Sequence, residues 1–122
     1  MKAITILMLI FFLNSSFVQK ENNSFEGNWI AKDLANSTIE VVKIGKEHWK
    51  GKIIASDDKT IIGKIVFDNV KSDGKGNWIG KLTNPIKEID VNATFHLDNE
   101  NTLKLLGKKF FFTKTFYWIR KK

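Results

Sequence analysis

With 122 residues the chain has room for one domain, and at 43% hydrophobic and 27% charged it has the makings of a globular core. The absence of cysteine excludes disulfides, thiol catalysis and thiolate metal sites. The formal charge of +7 is carried by lysines scattered among acidic residues with no basic block of five or six, so nucleic acid is not an expected partner.

Residues 1–20 read as a cleaved secretory signal peptide and tether. Met1-Lys2 is a short positive start, residues 3–13 are apolar apart from Thr5, and Asn14-Ser15-Ser16 turns small and polar. The apolar run is too short for a spanning helix, which needs about 20 residues. No stable membrane insertion is therefore expected once the leader is removed. A small exported domain without disulfides fits a bacterial periplasm or exterior. Removal of Lys2 and Lys20 leaves eighteen cations against thirteen anions.

Residues 21–122 read as a single all-β domain, because short runs of period-two alternation follow one another between Gly, Asn, Asp and Ser turns. The first strand holds Trp29 and Ile30, and residues 38–44 form the second. In the third, Trp49, Gly51, Ile53 and Ala55 share one face opposite His48, Lys50 and Lys52. Asp57-Asp58-Lys59 turns the chain, and Ile61, Gly63, Ile65 and Phe67 are expected to face inward on a fourth strand. A Gly-rich loop over 71–76 leads to Trp78, Gly80 and Leu82, and Asn84-Pro85 ends that strand. Val91, Ala93, Phe95 and Leu97 alternate with Asn92, Thr94, His96 and Asp98. Residues 102–106 and 113–120 are the last two strands, after the apolar Phe110-Phe111-Phe112.

Eight short strands joined by hairpin-length turns predict a small up-and-down antiparallel barrel. The unit Gly-Lys-aliphatic recurs at Gly51, Gly63 and Gly80, and its phase predicts that each glycine faces inward, where strands must bend. Closure is expected between Gly27-Asn28-Trp29 and Trp118-Ile119-Arg120. Arg120 is the single arginine beside nineteen lysines, and its planar guanidinium suits stacking on Trp29.

Taken together, Gly27-Asn28-Trp29, Gly51-Lys52-Ile53, Trp78-Ile79-Gly80-Lys81-Leu82 with Asn84-Pro85, Thr102-Leu103-Lys104-Leu105-Leu106-Gly107 and Trp118-Ile119-Arg120 carry a resemblance. In this order, over residues 25–120, the chain resembles the exported bacterial domain-of-unknown-function family 2147, whose barrels are lipocalin-like (calycin-like). The resemblance implies a structural role for Gly27, Trp29 and Arg120 and brings no activity with it. The family's tyrosine after the proline and its arginine before the seventh-strand glycine are missing, the latter replaced by Leu106.

No catalytic constellation is legible: His48 and His96 lie on lysine-rich faces, no nucleophile elbow surrounds a serine, and Asp57-Asp58 has turn chemistry. The expectation is a protein that is not an enzyme and needs no cofactor or metal. The aromatics Trp49, Phe67, Trp78, Phe95, Phe116 and Trp118 are expected to project into the barrel and are the candidate ligand-binding residues. An eight-stranded barrel is filled by its side chains or holds one small ligand. Two functions follow. One is binding of a small hydrophobic molecule; the alternative is an interaction module with a packed barrel that meets an envelope protein through its outer face or loops. Phe110-Phe111-Phe112 favours the second, since three consecutive phenylalanines cannot all face one core.

Overall fold

Because β-branched and aromatic residues alternate with lysines, each run can bury one face and wet the other. The computed structural model describes residues 24–122, so the expected leader and its cleavage region lie outside the described residues. The strands are β1 (Gly27–Ala31), β2 (Ser37–Ile44), β3 (His48–Ala55), β4 (Ile65–Ser72), β5 (Trp78–Asn84), β6 (Ile89–Asn99), β7 (Thr102–Lys109) and β8 (Phe112–Arg120). A 3-10 turn at Lys59–Ile61 is the one helical element among the described residues. Each strand pairs antiparallel with its neighbour in sequence, and β8 returns to β1 to close an eight-stranded barrel. At the seam, Trp29 faces Arg120 and Ile30 faces Ile119.

Side-chain polarity is that of a barrel standing in water. Ile39, Val41, Ile53, Phe95, Leu103 and Leu105 are buried in the lumen, while Lys52, Lys71, Lys81 and Lys108 stand outside. A membrane-spanning barrel has the inverse pattern. Among the described residues no helix is long and apolar enough to cross a membrane.

The two ends differ. At one, the turns β2–β3, β4–β5 and β6–β7 meet the incoming segment 24–26, and Phe25 enters the lumen as a plug, 1% exposed. We call this the plugged end. The opposite end carries the β1–β2, β3–β4, β5–β6 and β7–β8 connections and is the mouth.

Departures from simple alternation occur mainly where β3 meets β4. The register shifts between Trp49 and Gly51 and again between Gly51 and Lys52, and such bulges change which residues face inward. Val66 and Phe67 are consequently both buried although adjacent, and β4 begins only at Ile65, which is half-buried. Ile61 is buried from the 3-10 turn rather than from a strand. Gly63 is exposed with φ +93° and nothing beside its missing side chain, so its expected inward role is corrected. Gly51 and Gly80 do face close neighbours: a Cβ at Gly51 would lie 2.5 Å from the Phe67 ring, and one at Gly80 would lie 3.0 Å from the Val70 Cα. Ala55, expected inside, is exposed at the end of β3.

Candidate functional site

The lumen divides into a filled half and an open half. In the filled half, the Phe25 ring stacks on Trp78 at 4.8 Å and on Phe67 at 5.7 Å, and meets Phe95 at 5.2 Å and Trp49 at 6.2 Å. Trp49 and Trp78 meet edge to face at 6.0 Å. Four of the six expected ligand-binding aromatics, Trp49, Phe67, Trp78 and Phe95, are thus occupied with one another around a residue that alternation did not single out. Phe25 lies before β1, and its plug position follows from the chain turning into the lumen. Phe25 shares the period-two phase of the buried Trp29 and Ala31, so alternation continued back past Gly27 points to it.

The plug is latched by Arg120. Its guanidinium lies 4.3 Å from the Trp29 ring centroid. Nε donates to Glu100 O at 2.7 Å, Nη1 to Glu26 O at 2.9 Å and Nη2 to Ser24 O at 2.6 Å. Trp29 Nε1 donates to Phe25 O at 3.0 Å, so both members of the stack hold the segment that carries the plug. Partial burial lowers the Arg120 pKa against the opposing charges of Glu100 and Glu26. The group stays cationic at physiological pH. Burial raises the Glu26 carboxyl, but the Ser24 hydroxyl, the backbone, the Trp49 indole and Lys43 bring it below its ordinary value. The Trp49 N–H is near enough to favour that charge yet is buried outside hydrogen-bonding geometry.

The open half begins at Trp118 and Phe116. A cavity of about 80 Å³ lies against Val66, Leu82, Val91, Phe116 and Trp118, roofed by Ala31 and Leu34. It shares Asp33, Asn84, Ile89, Val91 and Phe116 with a larger cleft of about 390 Å³ at the mouth. The cleft adds Phe110 and Phe112 as apolar wall and Lys87, Lys109 and Lys114 as cations. Lys114 Nζ lies 5.3 Å from the Phe116 ring centroid, and Lys109 Nζ donates to Asp90 O at 3.1 Å. Phe116 and Trp118 are therefore the expected site residues that border the space at the mouth, together with Ile89 and Val91 and the three lysines, which the inward-aromatic pattern did not select.

Backbone strain is concentrated at this same end. The described non-glycine residues with positive φ are Ala35, Asn36, Glu88 and Phe110, and all four lie in loops at the mouth. Turns at the plugged end use Gly45, Gly74 and Gly76 instead. Such strain persists only where the surroundings or a function hold it. One side of the mouth is tied together: Ser37 Oγ donates to Ser56 Oγ at 2.9 Å, Asp57 N to Ala35 O at 3.0 Å and Asn36 Nδ2 to Asp57 Oδ2 at 2.9 Å. These bonds join the β1–β2 and β3–β4 connections, opposite the lysine-bearing wall of β7 and β8.

Chemically the cleft at the mouth offers apolar surface, the ammonium groups of Lys87, Lys109 and Lys114, and one carboxylate, that of Asp33. His96 sits on the outer wall beside Asn77 and Asp98, and Asp58 caps the 3-10 turn through Thr60. Among the described residues no group of three or more His, Cys, Asp or Glu is placed to hold a metal. Comparison with family models, with curated proteins and with solved structures gives no match.

Proposed function

We propose that the protein is an exported, non-catalytic, lipocalin-like barrel that binds a small amphipathic anion at its mouth. The apolar part of the ligand lies on Phe116, Trp118 and Val91, and its acidic head meets Lys87, Lys109 and Lys114. The observation that carries this reading is the continuity of an apolar cavity with a cleft of about 390 Å³ that has three lysines in its wall. That volume is within the range of small-molecule sites, roughly 300–1,000 Å³. The inner cavity alone, at about 80 Å³, takes only the end of a chain, and the filled half of the barrel confines the ligand to the mouth. Likeness to the lipocalin-like family supports the class of function, and the leader-like residues 1–20 support the address outside the cytoplasm.

Displacement of an apolar fluorescent probe by medium-chain alkyl carboxylates, followed without lipid vesicles, tests the reading. The expected result is saturable displacement, with the carboxylate preferred to the alcohol of the same chain length. Lys87→Glu combined with Lys114→Glu should abolish that preference while leaving probe binding in place. Absence of saturable binding, or a double variant that still prefers the carboxylate, would overturn it.

A further inference from the structure

We propose that the tip of the β7–β8 hairpin docks the barrel, mouth first, on an anionic lipid surface. This goes beyond ligand binding and does not require the cleft to be occupied. Phe110, Phe111 and Phe112 are 87%, 99% and 78% exposed. Lys109 pairs with Phe112 across the hairpin, so Phe110 and Phe111 are the two loop residues. Phe110 holds φ +57°, a conformation that costs a bulky L-residue energy and that glycine adopts freely. An aromatic pair kept at an exposed turn, against both hydration and backbone preference, points to a partner that buries it.

Charge identifies that partner. Residues 101–122 contain seven cations and no Asp or Glu; Arg120, Lys121 and Lys122 lie at the plugged end, and three of the others stand beside the tip. Lys108, Lys109 and Lys114 flank the phenylalanines on the two strands, and Lys109 Nζ lies 5.9 Å from the Phe110 ring centroid. Aromatic rings at a tip with ammonium groups behind them match the layering of a bilayer interface, acyl chains beneath anionic headgroups. Neighbouring loops at the same end add Ile62 and Ile86, 42% and 48% exposed. These side chains stand on separate loops, and a fluid surface can accommodate each without a shaped pocket for it. Docking is peripheral, because Lys104 and Lys108 stand on the outer face of β7 behind the tip.

Flotation of the mature chain with phosphatidylcholine vesicles, with and without phosphatidylglycerol, tests the proposal. The wild type should float with the anionic vesicles at low salt and be released as salt rises. Phe111→Ser should weaken partition by about tenfold, the effect of withdrawing a large apolar side chain from a buried environment. Lys108→Gln should weaken it by about fivefold. Phe110→Gly/Phe111→Ser, which relaxes the turn and keeps the fold, should reduce binding to the level of neutral vesicles. Undiminished binding by that double variant, equal binding to both vesicle types, or no flotation at low salt would each overturn the proposal. The last would leave the tip to a protein partner. Flotation uses no amphiphile and the displacement titration uses no vesicles, so either reading can fail alone.

Discussion

A single guanidinium closes this barrel in a way that no ammonium could reproduce. Arg120 stacks on Trp29 and donates to three carbonyls, those of Glu100, Glu26 and Ser24, which lie in different directions around its plane. Lysine has no plane to stack and one nitrogen to donate from. Arg120→Lys should lose about 1–2 kcal/mol in a urea titration, whereas Lys121→Ala should be close to neutral. Gly27 belongs to the same device: it holds φ +133°, and a Cβ there would lie 2.6 Å from Arg120 Nη1. Gly27→Ala should therefore destabilise by a similar amount, and the double variant should lose less than the two single losses added together. Equal midpoints for Arg120→Lys and Lys121→Ala would show that the stack contributes nothing. Residue types and positions at both ends of the chain made the pair legible. The identity of the carbonyls did not, because it depends on how segment 24–26 folds back over the seam.

At the scale of elements, period-two patterning fits where the ladder is regular and misplaces residues where it is bulged. β6 alternates cleanly, and its inward Ala93 and Phe95 are buried as the pattern implies. β4 does not, because two register shifts against β3 bury neighbouring Val66 and Phe67 and leave Gly63 in an exposed turn. A bulge leaves no mark on hydrophobic period beyond a pair of adjacent apolar residues, and such pairs also occur in regular strands, as Val41 and Val42 show. At the β7–β8 hairpin the exposure of the phenylalanine run was legible, since three in a row cannot all face one core, but the positive φ of Phe110 was not. Replacing Phe110 by glycine at φ +57° should raise stability by about 1–2 kcal/mol, the usual cost of a left-handed L-residue. Thermal or urea unfolding of Phe110→Gly checks this, and a midpoint at or below that of the wild type would mean that the Phe110 ring itself stabilises the hairpin.

For the molecule as a whole, the decisive asymmetry is that one end of the lumen is packed with rings and the other is left open. Composition counted the aromatics but could not assign them to an end; that assignment depends on Phe25, a residue outside every strand. Truncating it should show how the two halves depend on each other. Phe25 is 1% exposed and meets four aromatic rings, so Phe25→Ala should cost about 3–5 kcal/mol, with Phe25→Leu as the milder companion. The Ser24 and Glu26 carbonyls would still be held by Arg120, so the seam should persist and a void should remain where the ring stood. That void adjoins Trp49 and Trp78, 6.0 Å apart. Their emission should shift to the red in the variant, and an apolar probe should gain a second class of site that medium-chain carboxylates do not displace. Binding at the mouth should keep its wild-type affinity, because Phe116, Trp118 and the three lysines stand at the other end of the barrel. If the truncation instead weakens binding at the mouth and adds no second site, the lumen is one continuous compartment and the division into a packed and an open half is wrong.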